Sequence, residues 1–220
     1  NIDEARSVLN LKPNGGAFPK LSNPLKTQPR IGLYKGHGSS MDEGWTRFVF
    51  DSFQVPFRSV TDTQVKSGDL PYDVIILPAD SEASIVRGLS AERYPADISG
   101  GIGDAGAENL KKFVENGGKL VCFDDSCELV MKRFGVPVRN VLSGINRRDF
   151  YNPGSIIKLS VNERHTLASG LRTQTPAYFT NSSAFEVAAD ANVRIVAKYA
   201  DENALISGWM LGEKRINGKA

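Results

Sequence analysis

The chain has 220 residues, 40% of them hydrophobic and 24% charged, an ordinary globular balance that argues against wholesale disorder. Lys and Arg number 27 against 25 Asp and Glu, and a net charge of +2 is too even to make nucleic acid or an anionic membrane the main partner. No apolar run approaches the ~18 residues of a membrane span. The two cysteines, Cys122 and Cys127, have no companion Cys or His pair and make no zinc pattern.

Residues 1–29 read as a lead-in: a short helix-like stretch, IDEARSVLNL, then a Pro-, Gly- and Asn-rich run typical of linkers and turns. No signal-peptide pattern is visible from Asn1 onward. From Arg30 the character changes. RIGLY is a short apolar run broken by GHGSS, and MDEGWTRFVFDSF follows with Trp45, Phe48, Val49 and Phe53 at helical spacing. Asp42 is the expected N-cap of that helix. FRSV suggests a second strand. DVIILP, Asp73 to Pro78, is a continuous β-branched run of the kind buried on both faces of a parallel sheet.

A polar, Gly-rich stretch runs from Ala79 to Gly103. A helix is expected from about Gly106 to Asn116, stopped by Gly117-Gly118. KLVCF reads as another buried strand, and DDSCELVMKRFG as a capped helix ended by Gly135. This alternation predicts an α/β fold with an open, mostly parallel, doubly wound sheet. After Val136 the runs SIIKLSV, VRIVAKYA and ALISGWML alternate apolar and polar residues, as antiparallel or edge strands do. The final GEKRINGKA carries no turn or cap signal.

In open α/β sheets ligands bind beyond the carboxyl ends of the strands. Three such ends stand out: Lys35-Gly36-His37, Pro78-Ala79-Asp80-Ser81 and Asp124-Asp125-Ser126. The last lies in CFDDSCELV, a strand turning sharply into a helix, which is the geometry of a nucleophile elbow. Its elbow residue is Asp124, or Phe123 or Asp125 if the boundary moves by one. Ser126 and Cys127 complete the candidates. Cys122 belongs to the strand. Cys127 falls in the first helical turn and has two readings: a thiol whose pKa the helix end lowers, or a small apolar residue packing helix on sheet.

A Cys or Ser nucleophile needs a base, and only His37 and His165 exist. Neither has the chain order of a Cys-His-Glu triad, so each reads as a surface or loop-anchoring histidine. Lys35, His37, Glu43, Asp80 and Ser81 are the candidates for a ligand crevice. Carboxylates converging there (Asp42, Glu43, Asp80, Asp124, Asp125) would hold a cation, but such groups more often cap helices and meet water. Gly101-x-Gly103-x-x-Gly106 has dinucleotide spacing but follows a polar loop, YPADISG, instead of a strand. Trp45, Trp209, Tyr94 and Tyr178 offer a stacking surface, although rings of this size are more often core.

Taken together, RIGLYKGHGSSMDEGWTRFVFDSF, YDVIILPADS, GGIGDAGAENLKKFVENGGKLVCFDDSCELVMKRFGVPVRNV, HTLASGL and LISGWMLGEKRINGKA resemble a known module. It is the class I glutamine amidotransferase-like domain appended to bacterial zinc carboxypeptidases of the carboxypeptidase A type. The likeness runs from about Arg30 to Ala220. It implies one flavodoxin-like domain over residues 30–220 with further sheet residues after Ala220, and a secreted or periplasmic parent. It also implies a partner peptidase domain that holds the zinc, with no cofactor in this segment. The departures from the pattern are specific. The amidotransferase nucleophile position holds no Cys, and no His-x-Glu follows late in the chain. Neither His37 nor His165 has Glu three residues later, so the zinc peptidase signature is absent. Three functions follow as expectations: a non-catalytic accessory domain supporting the peptidase or binding a ligand, a degenerate hydrolase using the Asp124–Cys127 elbow, or a sugar- or peptide-binding module.

Overall fold

The computed structural model describes residues 27–38 and 40–220, so the expected lead-in helix lies outside the described residues. The described chain falls into two compact units, residues 27–79 with 84–121, and residues 80–83 with 122–220.

The first unit is built on strands β1 (Ile31–Lys35), β2 (Arg58–Thr61), β3 (Val74–Leu77) and β4 (Lys119–Cys122) in the order β2-β1-β3-β4. Strand β1 pairs in parallel with β2, Leu33 opposite Ser59, and with β3, Leu33 opposite Ile76. This is the doubly wound, flavodoxin-like order over four strands, with its switch point between β1 and β3. Helix α1 (Met41–Ser52) carries the chain from β1 to β2. Helix α2 (Asp62–Ser67) leads back towards β3, and α3 (Glu82–Arg87) and α4 (Gly103–Glu115) lie between β3 and β4. Right-handed crossovers in opposite directions put α1 on one face and α2 and α4 together on the other, and α2 packs against α4. Leu33, Val60, Val65, Ile75, Leu77, Ile85, Ile102 and Leu110 are fully buried.

Four local expectations are corrected. Ser40, not Asp42, caps α1: its hydroxyl accepts from Glu43 N at 3.2 Å, and Asp42 sits inside the first turn. Helix α2 escaped the sequence reading, although Thr61-x-x-Gln64 is a capping box in which Thr61 Oγ1 accepts from Gln64 N and Gln64 Oε1 from Thr61 N. Strand β4 is not buried on both faces. It ends the sheet order, so Val121 stays exposed while Leu120 and Cys122 are half-buried. The apolar stripe of α1 points outward: Trp45 is 60% exposed, Phe48 61% and Phe53 77%. The face turned inward instead buries Glu43, ion-paired to Arg47, which also donates to Ser59 Oγ at 2.9 Å.

The second unit contains α5 (Cys127–Arg133), β5 (Val138–Asn140), β6 (Ser155–Val161), β7 (Gln174–Phe179), β8 (Phe185–Val187), β9 (Ala197–Tyr199) and β10 (Leu205–Ser207). All of its pairings are antiparallel, as the alternating pattern predicted. The order is β10-β6-β7 with β9 also on β6, and β5 pairs β8. Strand β7 carries Pro176 opposite Lys158, a residue tolerated because β7 is an edge strand. Phe179, Tyr199, Ile157 and Ile216 form the core, with the Phe179 and Tyr199 rings 5.7 Å apart. A 3-10 turn at Glu213–Arg215 interrupts GEKRINGKA, where no turn was expected, and Ala220 exchanges main-chain hydrogen bonds with Phe185 at 2.6 and 3.0 Å.

Candidate functional site

The elbow is present, and Asp124 occupies it. Strand β4 ends at Cys122, Phe123 stays extended, and Asp124 turns into the left-handed region at φ +45°. A 3-10 turn over Asp124–Ser126 then delivers the chain to α5, in place of the side-chain cap expected there. Left-handed backbone is costly for a residue with a Cβ, although Asp is among the more tolerant types. Ser126 is fully buried and locks the bend, its Oγ donating to Phe123 O at 2.7 Å and its N to the same oxygen at 3.1 Å. The Asp124 carboxylate is exposed at the outside of the turn.

Both thiols are turned into the protein. Cys127 Sγ donates to Cys122 O at 3.4 Å. Burial pushes the Cys127 thiol up to about 11, with the Asp124 and Asp125 charges adding to the effect. Burial, and then the neighbouring Cys127, pushes Cys122 up to about 12. Of the two readings of Cys127, the packing residue fits; the first turn does not yield a thiolate. The carboxyl of Asp125 is also raised, by burial first and then by Glu128 and Asp80. Glu128 is paired to Lys132 at 2.6 Å, and Glu82 to Arg133 at 2.7 Å.

The remaining candidates are dispersed over the two units. Lys35, His37 and Glu43 belong to the first, and Asp80 and Ser81 to the second with the elbow. Lys35 and His37 are exposed after β1. Glu43 is spoken for by Arg47, which removes it as a free crevice group. Asp80 Oδ1 accepts from Ser81 N at 2.8 Å and so shapes its own turn. His165 Nδ1 accepts from Leu167 N at 3.2 Å, a local anchoring role of the kind read from the sequence. The GIGDAG stretch opens α4 from a loop bridged between Leu89 and Gly100, with no sheet strand before it and no side-chain cap. Among the described residues no group of three or more His, Cys, Asp or Glu is arranged to hold a metal ion. Among them, too, no helix is long and apolar enough to cross a membrane.

Sequence reasoning missed two features. The Tyr34 hydroxyl donates to Asp62 Oδ1 at 2.5 Å, a buried polar pair where β1 ends and α2 begins. It also missed Tyr151, whose ring meets that of Trp209 at 6.0 Å. The four candidate stacking rings are not core: Trp45, Trp209, Tyr94 and Tyr178 are all exposed.

No family model matches the chain, and no curated protein matches it. Among solved structures it is similar to a GMP synthase protein from Thermoplasma acidophilum. The TM-score is 0.47 at 13% identity, covering 79% of this chain and 75% of that one. It is also similar to a glutamine amidotransferase from Thermotoga maritima, with a TM-score of 0.48 at 9% identity, covering 86% of this chain and 73% of that one. At such identities and scores neither protein carries a residue role, a substrate or an activity over to this chain.

Proposed function

We propose that this chain is a non-catalytic, amidotransferase-like accessory domain of a secreted or periplasmic zinc carboxypeptidase-like protein, supporting the peptidase or binding a ligand. The observation that carries the non-catalytic part is the elbow. The side chain lifted by the strained turn is the carboxylate of Asp124, and the nearest thiol, Cys127, is a protonated donor to a main-chain carbonyl. A thiol pushed to about 11 is almost wholly protonated at neutral pH, and the thiolate is the form that attacks. The charges acting on it are those of Asp124 and Asp125, which oppose ionisation. In this reading the zinc belongs to a separate peptidase domain, and the partner of this chain is that domain. The parent and its location rest on the sequence resemblance alone.

The test is turnover. The 220-residue chain is assayed for glutaminase, esterase and peptidase activity beside Asp124→Asn and Cys127→Ala. The proposal expects rates indistinguishable from buffer in all three. Turnover by the parent chain that either substitution abolishes would refute it.

A second reading, a degenerate hydrolase, is favoured by one observation. Non-glycine residues held at positive φ collect at functional sites, and Asp124 is so held beside Asp125, whose carboxyl is raised. A raised acid next to an ionised one is the arrangement of an acid–base pair. Activity lost in Asp124→Asn but retained in Cys127→Ala would select this reading.

A further inference from the structure

Tyr151-Asn152-Pro153-Gly154-Ser155 leads into β6. Asn152 is 5% exposed, and its Oδ1 accepts from Gly154 N at 2.8 Å, which closes the turn. The other end of the same carboxamide, Nδ2, is buried with no hydrogen-bond partner. A buried amide donor left unpaired is costly, and this one lies at the backbone of Gly154.

Gly154 is bounded by aromatic and glycine neighbours. At φ +129°, a Cβ added to it would stand 2.7 Å from the Tyr178 hydroxyl. A Cβ on Gly208, at φ +99°, would meet Ser155 Oγ at 2.7 Å and Gly154 O at 3.1 Å. The strand register agrees: Ile156 on β6 lies between Tyr178 on β7 and Ser207 on β10. Beyond Gly208, Ser155 Oγ accepts from Trp209 N at 3.1 Å and donates to Trp209 O at 2.8 Å, which fixes the Trp209 backbone. The Trp209 ring meets the Tyr151 ring edge-on at 60°, and the Arg147 guanidinium lies 5.0 Å from the Tyr151 centroid. Trp209 and Tyr178 nonetheless remain 54% and 66% exposed.

We propose that Trp209, Tyr178 and Tyr151, set around the Gly154–Gly208 floor above Asn152, bind a neutral oligosaccharide by stacking. The rings are held by their backbones and by each other while their faces stay open. An open, rigid ring face suits the flat C–H face of a pyranose, which stacks on one side and keeps its hydroxyls in water. A peptide side chain would need a pocket to enclose it. The unpaired Asn152 donor under the floor seeks an oxygen acceptor, which a sugar hydroxyl or a water bridging to it supplies. This site stands on residues 147–209 and is independent of the elbow, so either can fail without the other.

The test uses the full chain carrying Trp45→Phe. With two tryptophans in the sequence, this leaves Trp209 as the sole tryptophan reporter. Cellohexaose, laminarihexaose, maltohexaose and chitohexaose are titrated against its fluorescence, beside a proline-rich decapeptide. A saturable change with at least one hexaose is expected. By calorimetry in the otherwise native chain, Tyr178→Ala should weaken that binding about tenfold, a shift on the scale of one aromatic contact. Trp209→Ala should abolish it. Tyr178→Ala lies on an exposed edge strand and decides the matter should Trp209→Ala fold poorly. No saturable change with any hexaose, affinity unmoved by Tyr178→Ala, or binding of the decapeptide in place of the sugars would overturn the proposal.

Discussion

Cys127 Sγ donates to the main-chain oxygen of Cys122, 3.4 Å away across the bend that joins β4 to α5. The bond ties the first turn of the helix to the end of the strand and turns the sulfur away from the place where a substrate would meet the elbow. Its chemical consequence is measurable. Both thiols stay protonated near neutrality, because burial raises Cys127 to about 11 and Cys122 to about 12. Iodoacetamide should therefore label the folded chain slowly at pH 7.5, at least tenfold slower than the chain in urea. The folded rate should keep rising through pH 10 instead of levelling near 8.5, the ordinary thiol value. A plateau below pH 8 would contradict the geometry.

Asp124 bears backbone strain at φ +45°. Glycine adopts this conformation freely, so Asp124→Gly should raise stability or leave it unchanged, within about 1 kcal/mol. Asp124→Val should cost more than about 1 kcal/mol, since a β-branched residue is a genuine outlier there. Urea midpoints at constant slope check both.

Two carboxylates outside the elbow set the acid limb. Asp73 is held down to about 2, first by the side-chain hydrogen bond from Arg30 and then by Arg30 N, which donates to Asp73 Oδ2 at 2.7 Å. Glu186 is held down to about 2 by Lys219 and then Arg139. A folded-state value below the unfolded one stabilises above the ordinary range, 3.8 for Asp and 4.5 for Glu, and the contribution is lost as pH falls towards 2. The urea midpoint should thus hold level above about pH 5 and fall between about 4.5 and 2. Asp73→Asn and Glu186→Gln should each flatten that fall. Because both pairs are exposed, added salt should shrink the effect. Curves parallel to the parent's would contradict the assignment.

The outward stripe of α1 and the core of β1 should separate cleanly in a denaturation series. Leu33 is fully buried, and Leu33→Ala should cost about 2–5 kcal/mol. Trp45→Gln and Phe48→Gln change exposed rings and should stay within about 0.5 kcal/mol. A large loss from either glutamine variant would mean that the stripe is covered in solution.

Particular residues show where the sequence was legible. The continuous β-branched run Val74–Leu77 could be read as a central strand because both of its faces are buried and nothing else explains such a pattern. The bend at Asp124 was legible because a strand ending directly in a capping-type dipeptide leaves few ways to turn. The alternation of SIIKLSV gave β6 for the same local reason. Strand β7 was hidden by Pro176, whose tolerance depends on an edge position that no local pattern reveals. The direction of the α1 stripe was hidden too. Helical spacing gives an apolar face but not the side it turns to, and here the Glu43–Arg47 pair took the inner one. The Tyr151–Trp209 contact joins residues 58 positions apart, in two runs with no shared signal.

The direct trial of a chemically silent elbow is intact-mass analysis of the full chain after incubation with p-nitrophenyl acetate and with a glutamine γ-ester, followed by peptide mapping. Silence predicts an unmodified mass, with no acyl group on residues 122–128. A stoichiometric adduct mapped to Asp124 or Cys127, formed by the native chain and absent after unfolding, would contradict it.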